Sequence, residues 1–310
     1  MSDAPLFTVF TPTYNRAHTL HRVYDSLRAQ TLRDFEWVVV DDGSTDDTPS
    51  LMVQWTKIAD FPIRHFKQAH SGKHIAHNLA VREAQGEFFF TLDSDDACVP
   101  HTLQRMATLW QSIPVDKQQS FCGVGGLCVD QYGNLVGEQF PREPLDADML
   151  ERHYLYRVRG EKCMMMRTEL VRRFPFPEIK QTTFVPEGRV WFEVAKARKI
   201  RWVNEIFRVY YTGEGGNLSD RFRGLPESAP GRMHYYVWMF NNNFGYFFHA
   251  PRPFLNAAAM LPVVAWLSNR SLKGVMLSLE NPLARILVSL ALPLAALAYG
   301  IQALLADVPW

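Results

Sequence analysis

The run Asp93-Ser94-Asp95-Asp96, called the acidic cluster below, has the clearest chemistry in the sequence. Its three carboxylates directly follow a short apolar run. Carboxylate oxygens are hard ligands that suit Mg2+ or Mn2+, and Mg2+ usually binds through one or two carboxylates together with substrate phosphates. A solvated acidic turn is the alternative. Because parallel α/β sheets bind ligands beyond the carboxyl ends of their strands, we predict that the acidic cluster holds a metal ion against a diphosphate.

A second pair of carboxylates, Asp41 and Asp42, follows the apolar run Val38-Val39-Val40. A carboxylate at this position can accept hydrogen bonds from a base or a ribose. Capping of the helix that starts near Pro49 is the alternative use of these acidic side chains. We predict ligand binding for Asp42 and helix capping for Asp47.

Lys73 follows Gly72 at the predicted start of a helix, where a cation beside exposed backbone N–H groups suits a phosphate. His70, His74 and His77 have the spacing i, i+4 and i+7, which places them on one helical face if the helix extends back that far. Zinc is disfavoured because neither an HExxH motif nor a cysteine partner accompanies them. Phosphate contact or simple packing is expected instead.

Glu187 lies in the run Val185-Pro186-Glu187-Gly188-Arg189, just before a predicted helix. A carboxylate at this position is a candidate general base for an acceptor hydroxyl. The alternative is an acidic residue placed to interact with the helix dipole. The residues alone leave both interpretations open.

The elements that must position these side chains alternate between strand and helix over about the first hundred residues. Strands are predicted at Leu6–Phe10, Phe35–Val40, Ile63–Phe66 and Glu87–Leu92, and helices at His18–Gln30, from about Pro49, at Gly72–Ala84 and at His101–Trp110. Such alternation predicts a parallel α/β sheet. The polar segments Thr11–Arg16, Asp41–Asp47 and Asp93–Asp96 each follow a strand, so they are predicted to meet at one edge of the sheet.

A catalytic domain is predicted for residues 1–212, with an acceptor part at about 121–212. In that part, strands are predicted at Cys122–Asp130, Leu135–Val136, Lys162–Arg167, Ile200–Val203 and Phe207–Tyr211, and a helix at Val190–Arg198. Residues 213–250 are predicted to form a loop and linking region, because 213–231 is rich in Gly, Pro and Ser.

Residues 251–310 are predicted to form a hydrophobic helical tail. The stretch 286–306 has no charged residue, and its length suits a membrane span, which needs about 20 apolar residues. Arg270, Lys273 and Arg285 precede it and would keep the catalytic part in the cytoplasm, at the inner face of the membrane. The alternatives are a helix packed on the globular domain and a helix lying in the membrane interface.

Composition excludes one class of partner and indicates a compartment. With 33 basic and 32 acidic residues the net charge is +1, so nucleic acid is not an expected partner. The four cysteines form no CxxC pair, and Met1–Pro5 runs directly into a strand-like segment, so no signal peptide is expected. Both features fit a reducing cytoplasm, with the cysteines buried as packing residues.

Four motifs, in this order, resemble those of the family 2 glycosyltransferases of the GT-A fold. They are Val9–Asn15, Val39–Thr48, Gly72–Asn78, and Ala84–Glu87 running into Leu92–Asp96. The resemblance implies a GT-A-type, Rossmann-like, mostly parallel sheet flanked by helices. It also implies an inverting, metal-dependent transfer of a sugar from a nucleotide-diphosphate-sugar donor to an acceptor hydroxyl.

The resemblance further implies roles for individual residues. The residues expected to bind the nucleotide sugar are Thr11, Pro12, Thr13, Tyr14, Asn15, Arg16, Asp42, Lys73, Asn78, Asp93, Ser94 and Asp95. The residues expected to hold Mn2+ or Mg2+ are Asp93, Asp95 and Asp96. The family's base usually lies in a Glu-Asp pair before a helix; this sequence has Pro186-Glu187-Gly188 there, and Glu187 is the match.

Processive members of the family carry a QxxRW motif, which this chain lacks. The Arg-Trp pair is Arg201-Trp202, and Arg198 stands where the glutamine is required, so transfer of a single sugar is expected rather than polymerisation. The hydrophobic tail makes a lipid-linked, envelope or polysaccharide acceptor the expected one.

Two other functions fit the sequence less well. A sugar nucleotidyltransferase is disfavoured because Thr11–Arg16 has no glycine, whereas a triphosphate loop is Gly-rich. A catalytically inactive, membrane-associated nucleotide-sugar sensor or scaffold would be expected to have a damaged acidic cluster, and here all three aspartates are present.

Overall fold

The chain divides into two compact units. Unit 1 comprises Met1–Phe176 and Val190–Glu214, and unit 2 comprises Pro177–Arg189 and Gly215–Trp310. The computed structural model describes residues 4–194, 196, 198–213 and 226–306, with side chains described up to residue 300.

Unit 1 contains a nine-stranded mixed sheet with helices between its strands. In chain order the elements are β1 (Phe7–Thr13), α1 (Leu20–Arg28), β2 (Phe35–Asp41), α2 (Thr48–Ile58), β3 (Ile63–Lys67), α3 (Lys73–Glu83), β4 (Phe88–Thr91), β5 (Ala97–Cys98), α4 (Thr102–Gln111), β6 (Phe121–Val129), β7 (Leu145–Ala147), β8 (Lys162–Arg167), α5 (Thr168–Arg173), α6 (Gly188–Val194, which starts in unit 2) and β9 (Lys199–Val209).

The strand order is β3-β2-β1-β4-β8-β6-β9-β5, with β7 also paired to β9. Strands β3, β2, β1 and β4 are parallel to one another, as are β6 and β9. Strand β8 runs antiparallel between β4 and β6 and joins the two halves of the sheet. The predicted class, a mostly parallel sheet flanked by helices, is confirmed.

The central strands are apolar runs because both of their faces are covered. Every residue of β1 and β2 is buried, as is usual for parallel strands in the middle of an α/β sheet. One of the charged residues within these two strands is Glu36, which is 2% exposed. Its carboxylate accepts hydrogen bonds from the Thr8 hydroxyl at 2.6 Å and the Gln85 amide at 2.7 Å, and it pairs with Arg64 at 3.1 Å. This buried charge is therefore compensated.

The first helix has the apolar face that its spacing predicts. Leu20, Val23, Tyr24 and Leu27 are its buried residues, one turn or less apart, and they belong to the core under the sheet. The four cysteines are free and buried, as predicted.

Strand β9 is longer than the sequence predicts. Two short strands, Ile200–Val203 and Phe207–Tyr211, were expected, and the structure has one strand from Lys199 to Val209. The polar residues 204–205 interrupt the apolar pattern, but they lie where the register against β6 shifts between Gly125 and Leu127. A β-bulge absorbs the extra residues without ending the strand, so the interrupted pattern was misleading.

Several smaller predictions differ from the structure. Leu135–Val136 is not a strand, and Leu135 makes an isolated bridge to Val129. Asp47 precedes α2 without a side-chain capping bond, whereas Asp46 accepts a hydrogen bond from the Thr48 amide at 3.0 Å. The helix predicted at Val190–Arg198 ends at Val194, with residues 195 and 197 outside the described part of the chain.

The described part of unit 2 includes the α-helices α7 (Ala229–Asn243), α8 (Pro251–Leu267), α9 (Leu272–Ser278) and α10 (Pro282–Ala306). Helix α7 lies inside the segment that the sequence predicts as loop and linking region. Its Pro230 and Gly231 were misleading because proline is well tolerated in the first turn of a helix. Residues 214–225 of that predicted loop lie outside the described part.

Helix α10 packs along α8 with one face and leaves the other exposed. Ala284, Val288 and Ala295 are fully buried, whereas the exposed face is uncharged and carries Leu283, Ile286, Leu290, Leu294 and Leu297. The span Pro282–Gly300 is long and apolar enough to cross a membrane, and only 22% of it is buried within the chain. Packing inside the protein therefore does not account for its composition.

Candidate nucleotide-sugar site

The three polar loops predicted to converge lie at one edge of the unit 1 sheet. Thr13 and Asp41 end the neighbouring strands β1 and β2 in register. Strand β4, on the other side of β1, ends at Thr91, and the Leu92 amide continues the pairing to the Phe10 carbonyl at 2.8 Å. The acidic cluster begins at the next residue. The convergence predicted from the sequence is confirmed.

Asn15 joins the first loop to the second. It has a left-handed backbone conformation (φ 53°), which asparagine tolerates better than most residues. Its side-chain oxygen accepts a hydrogen bond from the Thr45 amide at 2.8 Å, and its own amide donates to the Ser44 hydroxyl at 2.9 Å. Asn15 therefore fixes the two loops relative to each other.

Asp42 organises the loop between β3 and α3. Its carboxylate accepts hydrogen bonds from the Ser71 and Gly72 amides, each at 2.8 Å, and from the Gln68 side chain at 2.7 Å. His70 Nδ1 lies 2.8 Å from the same carboxylate. Asp42 is 4% exposed, and this buried arrangement holds the loop that leads into Lys73. Whether Asp42 also contacts a nucleoside stays a prediction.

Tyr14 and His70 form a stacked aromatic pair between the first and third loops. Their ring centroids are 4.1 Å apart, and the planes are 20° from parallel. Helix α3 begins at Lys73, so His70 precedes it and does not share its face with His74 and His77. Three histidines on one helical face required a helix that extends back to His70, and this condition is not met.

His77 is a packing residue. It is buried among Phe10, Phe89, Phe176 and Trp191, with ring centroids 4.9–5.7 Å away. Burial lowers its pKa from 6.5 to about 3, so the ring is neutral. Of the two roles expected for these histidines, packing is the one that His77 has.

The acidic cluster faces three cations that come from different elements. Lys73 Nζ lies 2.6 Å from Asp93, and Arg16 lies 3.6 Å from Asp95. Arg208, from β9, lies 3.4 Å from Asp96 and 3.9 Å from Asp93. Like charges held this close require such compensation, since their mutual repulsion is only weakly screened in a partly buried site.

The pKa values of the three aspartates are displaced in different directions. Burial raises the pKa of Asp95, and the neighbouring charge of Asp93 raises it further. Burial also raises the pKa of Asp96, against the opposing effect of Arg208. Burial acts on Asp93 in the same way, but Lys73 and Arg208 outweigh it and lower its pKa. Asp93 is therefore the best-compensated member of the acidic cluster, and Asp95 and Asp96 are the two that a further cation would stabilise.

This arrangement fits a metal ion shared with substrate better than one held by protein alone. Among the residues that the structure describes, no three His, Cys, Asp or Glu side chains are placed to hold an ion together. Each of the three aspartates faces a cation in this arrangement, and whether Asp93, Asp95 and Asp96 hold a metal ion stays a prediction. Of the three aspartates, Asp95 lies farthest from its nearest cation, and its side chain is 23% exposed. One carboxylate together with phosphate oxygens is a normal donor set for Mg2+.

Arg208 was missed by the sequence analysis. Its side chain is 7% exposed and also reaches Glu161 at 3.2 Å. The available signal was a charged residue inside the predicted apolar strand Phe207–Tyr211, since an arginine there must be paired. Two of its partners, Asp93 and Asp96, lie more than a hundred residues away in sequence, so their identity could not be read from the pattern.

The remaining predicted site residues lie in or beside these loops, and some already have partners. Thr11 accepts a hydrogen bond from the Trp37 indole at 2.9 Å, and Ser94 is buried. Pro12 and Thr13 are buried within β1. Asn78 donates to the Phe176 carbonyl at 2.9 Å and accepts from the Phe176 amide at 2.8 Å. The expected contact of Asn78 with the nucleotide sugar stays a prediction.

Glu187 belongs to unit 2 and is exposed, at the residue before α6. Its position at a helix start agrees with both interpretations left open by the sequence. The role of base stays a prediction.

The fold and the edge of its sheet define a GT-A-type, Rossmann-like α/β domain. Residues 8–174 match the model of glycosyl transferase family 2, and the chain belongs to that family.

Two relatives illustrate how far the similarity extends. An uncharacterized glycosyltransferase of Nostoc is 39% identical over 108 residues, which is 35% of this chain and 34% of that protein. The GalNAc(5)-diNAcBac-PP-undecaprenol beta-1,3-glucosyltransferase of Campylobacter jejuni is 28% identical over 66% of this chain and 64% of its own length. The chain thus matches a third to just under two thirds of these relatives.

Solved structures show the same fold. S. aureus TarS residues 1–349, in complex with UDP-GlcNAc, superposes with a TM-score of 0.64 at 19% identity and covers 94% of this chain and 89% of that one. The mannosyltransferase PcManGT from Pyrobaculum calidifontis, in complex with GDP-Man and Mn2+, gives a TM-score of 0.55 at 21% identity, with 97% and 85% covered.

Proposed function

We propose that this protein transfers a sugar from a nucleotide-diphosphate-sugar donor to an acceptor hydroxyl, with inversion at the anomeric carbon. The observation that carries the proposal is the meeting of three loops, with Asp42, Lys73 and the acidic cluster, at the carboxyl ends of β1, β2 and β4. Ligands of open α/β sheets bind at this edge.

The donor is proposed to lie along the three loops. The segment Thr11–Asn15, which comprises the end of β1 and the residues after it, would hold the nucleoside together with Asp42. Arg16, Lys73, Asp93, Ser94 and Asp95 would hold the diphosphate and sugar. Lys73 supports this assignment because it is the first residue of α3, and the backbone N–H groups at a helix start favour an anion. The TarS and PcManGT structures contain UDP-GlcNAc and GDP-Man, respectively.

Asp95 is proposed to hold Mn2+ or Mg2+, with Asp93 and Asp96 nearby. When bound, the ion would neutralise charge on the departing nucleoside diphosphate. PcManGT contains Mn2+ beside its donor. Lys73 and Arg16 would orient the diphosphate and so restrict the nucleotide sugar to a reactive geometry.

Glu187 is proposed as the general base. Its carboxylate would take the proton of the acceptor hydroxyl while the hydroxyl oxygen attacks the anomeric carbon. The bond from that carbon to the diphosphate oxygen breaks as the new bond forms, and the nucleoside diphosphate leaves. A single displacement of this kind inverts the configuration.

The acceptor is proposed to be a lipid-linked or polysaccharide molecule of the cell envelope, reached from the cytoplasmic face of the membrane. The exposed apolar face of α10 supports membrane contact, and Arg270, Lys273 and Arg285 precede or begin that stretch. The Campylobacter relative carries PP-undecaprenol in the name of its acceptor.

Calorimetric titration of the full chain with a panel of nucleotide sugars, with and without Mn2+, tests the donor site. We expect metal-dependent binding of one donor that is lost in Asp95→Ala and kept in Asp116→Ala, an exposed aspartate far along the chain from the loops. If no donor binds under either condition, the transferase proposal is wrong.

The base is tested by the rate of transfer rather than by binding. Glu187→Gln should bind the donor normally and transfer its sugar at least about a hundredfold more slowly, since general bases contribute about 10²–10⁴-fold. Glu178→Gln, another exposed glutamate of unit 2, is the matched control. Full activity of Glu187→Gln would remove this residue from the mechanism.

A further inference from the structure

Unit 2 contains a cavity that has no part in the donor site. Its volume is about 960 Å3, and it lies between the segment around Lys180, helix α7 and helix α9. Ligand pockets for small molecules measure about 300–1,000 Å3, so this one could hold a group much larger than a single phosphate.

The lining of the cavity carries more positive than negative charge. Among the described residues that line it, Lys180, Arg189 and Arg270 are cationic, and Glu280 is the one carboxylate. The Arg189 guanidinium lies 5.0 Å over the ring of Trp238, which fixes its position in the wall. Such a set favours an anion with several acceptor oxygens, because arginine offers several N–H donors in a fixed plane.

Uncharged polar groups complete the wall. Asn241 donates to the Ser278 carbonyl and accepts from the Glu280 amide, each at 2.9 Å, and so ties α7 to the chain after α9. His234 also lines the cavity, and its Nδ1 is buried with no hydrogen-bond partner among the described residues. Burial, together with Arg189, lowers the pKa of this histidine, which keeps it neutral and able to accept as well as donate.

A second groove, of about 540 Å3, continues from the cavity toward α10. The two share Arg270 and Ser271, and the groove is otherwise bordered by Trp266, Asn269, Ala296 and Tyr299. Trp266 and Tyr299 meet edge to face, with centroids 5.3 Å apart. Tyr299 and Ala296 belong to α10, whose exposed face is apolar. The path therefore runs from cations through an aromatic pair to hydrocarbon, the sequence of groups found at a membrane interface.

We propose that the cavity binds the phosphate-bearing head of a long-chain lipid, and that the hydrocarbon chain leaves past Arg270 along the Trp266–Tyr299 groove onto the exposed face of α10. The ligand class is a phosphate or diphosphate ester of a long-chain alcohol, in which the polar lining around Asn241 leaves room for an attached sugar. That this lipid is the acceptor rests on the proposed transferase function. The binding itself needs no turnover.

The test is flotation of the full chain with vesicles of phosphatidylcholine that contain either a polyprenyl phosphate or, at equal surface charge, phosphatidylglycerol. Gly274→Trp fills the cavity, since a Cβ there would meet only Ser271, at 3.9 Å. Gly245→Trp is its control, because Gly245 has nothing within 4 Å of such a Cβ and does not line the cavity.

A second pair of variants separates specific binding from general attraction to anionic membranes. Lys180→Gln with Arg270→Gln removes two exposed charges from the lining. Lys273→Gln with Arg252→Gln removes two exposed charges of unit 2 that are not part of it. Both double variants lose the same non-specific attraction.

The wild type is expected to bind the polyprenyl phosphate vesicles at least about tenfold more tightly than the phosphatidylglycerol vesicles, since two or more charge-assisted hydrogen bonds exceed that factor. Gly274→Trp and the lining double variant should abolish the preference, both controls should keep it, and inorganic pyrophosphate in excess should compete with it.

The inference is overturned if the wild type shows no preference, if Gly274→Trp keeps it, or if pyrophosphate leaves it unchanged. It is also overturned if the apolar face of α10 pairs with a second copy of the chain and the protein then ignores vesicles. Calorimetric donor binding in the same variants keeps the two proposals distinguishable. If the wild type binds the nucleotide sugar but shows no lipid preference, the lipid proposal for unit 2 is wrong. If it keeps the lipid preference but binds no nucleotide sugar, the donor-site proposal is wrong.

Discussion

Arg208 should be the most sensitive single position in unit 1 outside the apolar core. It is not expected to touch substrate, but three of its nitrogens face three different carboxylates. Nε lies 3.4 Å from Asp96, one terminal nitrogen 3.9 Å from Asp93, and the other 3.2 Å from Glu161. Because the side chain is only 7% exposed, water cannot take over these contacts when it is removed.

The expected cost follows from that burial. Removing one partner of a buried ion pair typically destabilises a protein by about 3–5 kcal/mol, because the remaining charge stays buried and uncompensated. For a unit of about 200 residues, each kcal/mol lowers the midpoint of thermal unfolding by about 2–4 °C, so Arg208→Met should lower it by about 6–20 °C. Arg208→Lys keeps the charge but offers one nitrogen to three carboxylates, and should recover only part of this loss.

The assay is thermal unfolding of the full chain, followed by donor titration of the Arg208→Lys variant, in which we expect weaker donor binding in a folded protein. Arg105→Met is the control. Arg105 pairs with both oxygens of Glu205, at 2.9 and 2.7 Å, but the two side chains are 39% and 30% exposed. Solvent screens such a pair, so its loss should cost about 1 kcal/mol or less. If Arg208→Met costs no more than Arg105→Met, the argument from burial is refuted.

Two other substitutions test single contacts in the same unit. The unfolded chain takes up a proton at His77 near pH 6.5, and the folded chain does so only near pH 3, so stability falls through this window as the pH drops, by about 1.4 kcal/mol per pH unit. His77→Leu should remove this one-proton slope from the urea-unfolding free energy, and an unchanged slope would contradict the burial argument. Asp42→Asn replaces one carboxylate oxygen, a hydrogen-bond acceptor, by an NH2 group opposite the amides of the 68–72 loop. It should lower the free energy of unfolding by about 2–3 kcal/mol and weaken binding of the nucleotide sugar. Asp47→Asn, which has no capping bond to lose, should do neither.

Much of unit 1 could be predicted from the sequence because its signals are local. Buried parallel strands are short apolar runs, and the apolar spacing of α1 identifies its packed face without reference to any partner. The placement of the loops follows from the direction of the strands, which is why the convergence of Thr13, Asp41 and Asp93 was predictable. Strand β9 shows the limit, since a bulge depends on the register of its neighbour.

The individual roles of the site residues were less predictable, because they depend on partners far away in the chain. Asn78 belongs to a motif that suggests ligand binding, yet both polar groups of its side chain are bonded to Phe176. Asp42 was expected to reach a nucleoside, and its observed hydrogen bonds hold a loop. None of the sequence motifs includes Arg208. A motif identifies which residues lie near a site, whereas contacts decide which of them remain available to a ligand.

The charge of the acidic cluster leads to a last prediction. Its three carboxylates face Lys73, Arg16 and Arg208, so the edge of the sheet is close to electrically balanced as it stands. A diphosphate brings further negative charge, and Lys73 and Arg16 can turn toward it only by leaving carboxylates uncompensated. A divalent cation at Asp95 would restore the balance, so donor and cation should bind cooperatively.

Thermodynamic linkage makes this cooperativity measurable from both sides. If Mn2+ strengthens the binding of the nucleoside diphosphate by some factor, the nucleoside diphosphate must strengthen the binding of Mn2+ by the same factor. Coupling of this kind is typically about 1–3 kcal/mol, or about 5–150-fold. Titration of each ligand in the absence and in saturating presence of the other gives both factors. In Lys73→Met, Asp93 loses its nearest cation, so the affinity for Mn2+ alone should rise while the affinity for the diphosphate falls. Equal diphosphate binding with and without the ion would show instead that the cations at this edge are sufficient for the donor, and the charge-balance argument would then be wrong.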